Sequence, residues 1–536
     1  MSDLPQDQTS LLKSYPRPVV HLRREYQAAR LCLVFGAGIS KGFGLPTWKE
    51  LVDKIAAHRA IKGVIPENLT EPIAAKVEIF QRHFSNECQK SMGTTPNLME
   101  IKGKWFEILR TLIYEKLLDE TDLDLRHPYI GEYMEIIINS PVTITYNFDS
   151  CIEMCLDARA KRTKPKERQY ETIFPDMLPT RTKGSIYHIN GYLPKNLSDV
   201  YSEDLVFTEQ QFADQFLETT AGRFATLAHY FATRTCLFIG VSLSDENIRY
   251  LLRRSALNNP GHYHYYVRYQ PAENQDTLEI RKILSDFYFE TYNLITLFLD
   301  DKGIKALGTI IPLSFEQLSK LANGKTPLKW LYYVTGVPGA GKTSVRRAMR
   351  GLVVYSEWMT QALPLMSLPH DSLNDEEREE VDGWTADQFK RKNEELSKEC
   401  EGIFIIDRAP LDPLSFTEEK DMQEKTKRYW EEIAPSYGAR AYGISLEQGS
   451  IILLTGDVEK ISLRRARKTG STADTPKYLG KMQDILLRIY DHENTYIIDT
   501  RDIDLTEVIK RVSRIIHRGE YRIAVLERPT SAKGDS

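Results

Sequence analysis

Two glycine-rich segments carry residue types suited to holding phosphates. Gly336-Val337-Pro338-Gly339-Ala340-Gly341-Lys342-Thr343 satisfies the pattern G-x-x-x-x-G-K-[ST]. Backbone N–H groups of such a loop cradle phosphates, Lys342 reaches the β- and γ-phosphates, and the Thr343 hydroxyl ligates Mg2+. Further on, the apolar run Ile403 to Ile406 ends in Asp407-Arg408. That places a carboxylate for Mg2+ or for proton abstraction at a strand end, with an arginine suited to an acceptor's phosphate or a nucleoside base. Arg464, Arg465 and Arg467 follow the run Ile451 to Thr455 and Asp457. Arginines there are placed to close over transferring phosphates, and their alternative is a solvated helix face.

The second segment is Gly36-Ala37-Gly38-Ile39-Ser40, directly after Leu31 to Phe35. Glycines after a strand let backbone N–H groups approach a pyrophosphate at a helix N-terminus. Lys41 stands where the third glycine of G-x-G-x-x-G belongs, so the loop alone is a weak signal. Other pieces strengthen it. Val142 to Tyr146 runs into Asn147-Phe148-Asp149 and a helix carrying Glu153; Ile186 to Pro194 contains His188, Asn190 and Gly191; Asp204 to Phe212 follows; and Cys236 to Val241 leads to Gly240, Ser242 and Asp245. Asn147 is suited to hydrogen-bonding a ribose hydroxyl or a water, and its alternative is capping the next helix. Ser242 is a ribose or phosphate contact, or part of a strand-to-helix turn in which Ser244 or Asp245 caps.

The elements that must carry these residues are short apolar runs, read as buried parallel strands, separated by amphipathic helical stretches. Two phosphate-type loops 300 positions apart (Gly36 and Gly336) imply two such sheets. We expect an N-terminal domain over 1–311, a linker over 312–327, a second domain over 328–520 and a flexible tail over 521–536. Asp371 to Cys400 holds eleven acids against five bases, which reads as exposed helices with a solvated face.

Composition narrows the function classes. At 536 residues the chain is long enough for several buried cores, and Lys+Arg 71 against Asp+Glu 75 gives a net charge of −4. That balance offers no global attraction for nucleic acid or anionic lipid. Six cysteines with no C-x-x-C pair argue against both a zinc site and a disulfide framework. Without a signal-type or membrane-spanning run, a cytoplasmic protein is expected.

Taken together, the motifs around Gly36, Asn147, His188 and Gly240 resemble the sirtuin-like family, in the branch found in bacterial NAD-degrading immunity proteins, over about residues 20–300. The resemblance implies a Rossmann-like NAD domain with a small accessory subdomain within Ala56 to Lys104. It also implies cleavage of the nicotinamide glycosidic bond by water, with Asn147 as the polar catalytic residue and Asp149 supporting the loop. The four-cysteine zinc module of sirtuin deacylases is lacking, so protein deacylation is not expected. Family members carry histidine where Asn190 stands. Residues two apart on an extended segment share a face about 6.5 Å apart, so His188 either serves as base from a shifted position or is a buried structural histidine.

Residues 328–515 resemble the nucleoside and nucleotide kinase branch of P-loop proteins, taking ATP or another nucleoside triphosphate with Mg2+. The combined expectation is an α/β protein: a Rossmann-like sirtuin domain followed by a P-loop kinase-like parallel-sheet domain. Its expected role is antiphage defence through NAD hydrolysis under control of a nucleotide trigger, as a homo-oligomer that also accommodates a partner protein. The alternative is an active nucleoside or nucleotide kinase whose first half binds NAD or ADP-ribose without hydrolysing it.

Overall fold

The structure is a computed structural model that describes residues 4–61, 71–92, 97–165, 167–175, 177–196, 202, 205–207, 211, 223–271, 273–367, 373–416, 447–469, 475–490 and 493–524. The chain forms two compact units, Met1–Asn258 with Tyr263–Leu321 and Asn259–His262 with Ala322–Ser536. Both are α/β, and each is built on a parallel sheet.

In the first unit the strands are β1 (Leu31–Phe35), β2 (Val142–Thr145), β3 (Glu171–Ile173), β4 (Ser185–His188), β5 (Thr235–Ile239), β6 (His264–Tyr269) and β7 (Leu294–Leu299). They are ordered β3-β4-β2-β1-β5-β6-β7. β1, β2 and β5 are buried along their whole length, as continuous apolar strands covered on both faces must be. After β1 the chain moves to one side through β2 and returns through β5 on the other. The crevice beyond the carboxyl ends of β1 and β5 is therefore a topological switch point, where ligands of open α/β sheets bind.

The glycines lie at that point. Gly36 N donates to Ile239 O (3.1 Å) and Gly38 N to Gly240 O (2.9 Å). A β-carbon on Gly36 would stand 2.5 Å from Gly240 O, and one on Gly240 2.7 Å from Ile39 N. Gly240 has φ +68°, so Gly240→Ala combines a left-handed backbone with a clash against main chain. The backbone conformation alone costs about 1–3 kcal/mol. A thermal melt is expected to show the first unit's unfolding midpoint several degrees lower, whereas an unchanged midpoint would mean that this backbone contact is not held.

The second unit orders β8 (Lys329–Gly336), β9 (Val353–Tyr355), β10 (Gly402–Asp407), β11 (Ser450–Thr455) and β12 (Thr495–Asp499) as β12-β11-β8-β10-β9. β8 is central, with Asp407 paired in register to Val334 and Leu454 to Gly336. The P-loop and Asp407 thus emerge at the same sheet edge.

Three sequence expectations change in detail. The segment expected as a linker contains the helix Phe315–Ala322, and the division between units falls at Leu321 and Ala322. The start of the expected tail is packed: Leu331 N donates to Tyr521 OH (3.1 Å), and Ala524 is buried with its N–H on Gly449 O (3.1 Å). Residues 525–536 lie outside the described residues. The acidic stretch forms the helix Asp375–Lys398, whose Val381, Gln388, Phe389, Lys392 and Leu396 are buried, so it is not merely a solvated face. Within the expected accessory region the helices Trp48–Ala57, Ile73–Met92 and Leu98–Ile113 pack on one another; residues 62–70 and 93–96 lie outside the description, as does most of Asp204 to Phe212. Among the described residues no helix is long and apolar enough to cross a membrane.

Candidate functional site

Two loops meet at the carboxyl edge of β1 and β2. Ser40 lies on the short helix Ala37–Lys41 that follows Gly36, and Asn147 and Asp149 lie between β2 and the helix Cys151–Thr163. Asn147 Nδ2 donates to Gly36 O (3.1 Å) and to Ser40 Oγ (2.8 Å). The Ser40 hydroxyl in turn donates to Asp149 Oδ2 (2.7 Å), and Asp149 Oδ1 accepts from Cys151 N (3.1 Å). All three side chains are buried. This chain of donors fixes the Asn147 amide with its nitrogen spent on the glycine loop, which leaves Oδ1 as the atom available to accept from a ligand hydroxyl or water. The N-cap position is Ser150, which makes no side-chain cap bond, and Asp149 takes the first helical N–H, so the capping alternative for Asn147 does not apply.

His188 meets that network only through the main-chain carbonyl of Asn147. It is fully buried, with Nδ1 2.9 Å from Asn147 O and Nε2 2.8 Å from Glu153 Oε1. Both partners are acceptors, so both ring nitrogens donate and the ring is an imidazolium paired with Glu153. Burial pushes the His188 pKa down, but the Glu153 carboxylate and the Asn147 carbonyl outweigh it and hold it above the ordinary histidine value. A ring with both nitrogens spent on protein acceptors has no lone pair for a substrate proton. This is the geometry of the structural histidine, and it corrects the expectation of a displaced base. Asn190 Nδ2 donates to Tyr146 O (2.9 Å), and the Asn190 main-chain carbonyl accepts from Val206 N (2.9 Å); Asn190 braces the strand ends.

Across the switch point, Asp245 Oδ1 accepts from Asn247 N (2.9 Å) and Ile248 N (3.3 Å) and so caps the helix Glu246–Asn258. Ser242 is exposed, its hydroxyl 2.6 Å from that of Ser244. It remains accessible beside Gly240.

In the second unit Gly336, Gly339 and Gly341 have φ of +143°, +88° and +109°, which frees the loop to wrap a phosphate. Lys342 is buried, its Nζ donating to Gly336 O (2.6 Å) and Val337 O (3.1 Å). Burial, with Arg408 nearby, lowers its pKa to about 8. Asp407 is buried and its two carboxylate oxygens have no hydrogen-bond partner among the described residues. Arg346 Nε stands 3.6 Å away, and burial raises the Asp407 pKa against the pull of Lys342.

Arg408 departs from the expected role. Its φ is +72°, and its Nε is 2.5 Å from Glu357 Oε1 while Nη1 is 3.8 Å from Asp412 Oδ2. The guanidinium is buried against these acids and 5.9 Å from the Trp358 ring, so it holds the site together rather than waiting for a phosphate. Arg464 and Arg467 line a cavity of about 430 Å³ that reaches Ala340 and Gly341 of the P-loop, while the stem of Arg465 packs where a β-carbon of Gly339 would be (2.8 Å to its Cγ).

Residues 141–297 match the SIR2-like domain. The match carries Asn147, Asp149, Glu153, His188, Asn190, Gly240 and Ser242; the Gly36 to Ser40 loop precedes it in sequence and joins it through the hydrogen bonds above. No curated protein matches the chain by sequence. Among solved structures, thymidylate kinase from Candida albicans is similar at 15% identity and TM-score 0.29, over 37% of this chain and 99% of that one. Deoxyadenosine kinase from M. mycoides with products is similar at 14% identity and TM-score 0.26, over 34% and 96%. The NadR protein in complex with NAD and AMP-PNP is similar at 10% identity and TM-score 0.27, over 72% and 89%. Likenesses this weak say nothing of ligand or activity.

Several residues of the two units give no sequence signal of their own. Tyr114 OH accepts from Ser150 N (2.8 Å) and donates to Leu193 O (2.9 Å), tying two site loops. In the second unit Lys392 Nζ donates to Glu357 O (2.9 Å) and Asp407 O (3.0 Å) from within the acidic helix. Glu357 follows the three-residue strand β9, too short for any periodicity to reveal. Burial pushes the Glu357 pKa up, but Arg408 and Lys342 draw it below the usual carboxylate value.

Proposed function

We propose that the SIR2-like unit hydrolyses NAD+ to ADP-ribose and nicotinamide, and that the P-loop unit binds ATP or another nucleoside triphosphate and controls that hydrolysis. The observation that carries the reading is the Asn147–Ser40–Asp149 network anchored on the Gly36 loop at the switch point. The pyrophosphate would lie against the Gly36 to Ser40 backbone, with Ser242 on the adenosine side. The C1′–N bond breaks with its electron pair passing to nicotinamide, a neutral leaving group that needs no strong acid. Asn147 Oδ1 accepts from a ribose hydroxyl or from the water that bonds C1′, and the released proton passes to solvent. The chain's contribution is orientation and stabilisation of the oxocarbenium-like state.

In the second unit the Asp407 oxygens, which lack a hydrogen-bond partner among the described residues, and the Thr343 hydroxyl suit Mg2+, which is usually held by one or two protein oxygens plus substrate phosphates. Arg464 is the lid cation for those phosphates. An NAD-degrading unit on a chain with a nucleotide-responsive unit suits antiphage defence, in the cytoplasm and as a homo-oligomer with room for a partner protein. Control requires that the nucleotide bind active and inactive states with different affinity.

A second reading, an active nucleoside or nucleotide kinase beside a non-hydrolysing NAD- or ADP-ribose-binding unit, is favoured by the buried Glu357, Asp407 and Arg408 group and by the absence of a free base at His188. Nicotinamide release and phosphate transfer by the full chain, measured across Mg2+-bound ribo- and deoxyribonucleotides, separates the two. We expect hydrolysis to change by about 5- to 150-fold with one nucleotide and Lys342→Ala to remove that response. Phosphate transfer to a nucleoside or its monophosphate, with no nicotinamide released under any nucleotide, would establish the kinase reading instead.

A further inference from the structure

The glycine loop is held from beneath by a histidine from a distant segment. His127 follows the short helix Leu123–Arg126 and is buried under the Ala37–Lys41 helix. Its Nδ1 accepts from Tyr129 N (3.3 Å) and Ile130 N (3.1 Å), and its Nε2 lies 3.0 Å from Ile39 O. With Nδ1 accepting, Nε2 carries the proton and donates to Ile39. The ring is therefore neutral, in keeping with a burial that lowers its pKa to about 4. Phe43 packs on it at 4.4 Å between centroids, and a β-carbon on Gly42 would stand 2.2 Å from Nε2. Gly42 thus yields its space to this ring.

Ile39 immediately precedes Ser40, which receives the Asn147 amide and donates to Asp149. We infer that His127 is a positioning residue for the SIR2-like site, setting Ser40, and through it the Asn147 amide, by donating to the Ile39 carbonyl. The inference rests on the NAD-cleaving reading for its rate consequence, but its structural content is independent of turnover. A donor at one end and an acceptor at the other are both required, and neutral imidazole supplies them across one rigid ring. Displacing Ser40 by a fraction of an ångström releases the amide that must meet the ribose, so the expected loss lies in kcat more than in KM.

Two conservative variants separate positioning from mere support of the local turn. His127→Asn keeps an acceptor for Tyr129 N and Ile130 N but cannot reach Ile39. His127→Gln extends a donor toward Ile39 O. We expect His127→Asn to fold, to lose protection from amide hydrogen exchange at residues 37–41, and to lower kcat for nicotinamide release on the order of 10- to 100-fold. His127→Gln should recover most of both. Equal rates and equal exchange in the two variants, each normalised to folded protein, would overturn the inference. ADP-ribose binding by calorimetry distinguishes failure of the underlying reading: wild-type protein that binds neither ADP-ribose nor NAD removes the site itself, whereas binding by wild type with identical exchange in both variants removes only the role of His127.

Discussion

Asn147→Ala is expected to lower the rate of nicotinamide release by about 10²- to 10³-fold, the usual effect of removing one preorganised polar group from a transition-state site. ADP-ribose affinity should change far less. The amide's nitrogen is committed to Gly36 O and Ser40 Oγ, so the substitution removes Oδ1 from the ligand and also frees Ser40. Ser40→Ala isolates the second effect, because it leaves Oδ1 in place and takes away only one of the amide's two anchors. A smaller loss is therefore expected from Ser40→Ala than from Asn147→Ala. Single-turnover measurements with NAD, alongside ADP-ribose titration, check the ordering. If Asn147→Ala releases nicotinamide at the wild-type rate, the assignment of this network to glycosidic cleavage fails, whatever the protein binds.

Those residues are legible in the sequence because the physics that requires them is local. Close approach of two main chains admits only glycine, so Gly36, Gly38 and Gly240 stand out in the sequence as places where a ligand or another backbone comes close. Asn147 and Asp149 stand directly after an apolar strand, where polar residues at a strand's carboxyl end are exposed to a ligand. His127 and Lys392 are hidden for the opposite reason. His127 reaches its partner Ile39 across 88 positions, and a lone histidine has no pattern to announce it. Lys392 sits in a run of charges whose ordinary meaning is solvent, and only the burial of one helix face selects it. Tyrosine-rich β6 and the three-residue strands β3 and β9 escape periodicity altogether. Even where a residue was visible, its role was not: nothing in the chain order of His188 and Glu153 says that the two meet, and that meeting decides whether the ring has a free nitrogen.

That pair makes the other large effect. Glu153 and His188 are both buried, and Glu153→Leu would strand the imidazolium without its counter-charge. Removing one partner of a buried ion pair costs about 3–5 kcal/mol, so a markedly lower unfolding midpoint is expected at pH 6. His188→Leu leaves a carboxylate uncompensated and should be comparably unstable, while joining both substitutions should recover part of the loss, as coupled buried charges do. The pH dependence has a definite sign. The folded-state pKa of His188 lies above its unfolded value of about 6.5, so its stabilisation is complete below pH ~6.5 and is lost as pH rises through the folded-state pKa. Lys342 and Lys392, depressed to about 8, act with the opposite slope between about pH 8 and 10.4, which makes the difference between wild type and the doubly substituted protein the quantity to follow. A stability difference that shrinks as pH climbs above 6.5 fits a charged structural histidine. A difference that instead grows with pH, accompanied by a rise in nicotinamide release as a single group deprotonates, would return His188 to the role of a general base.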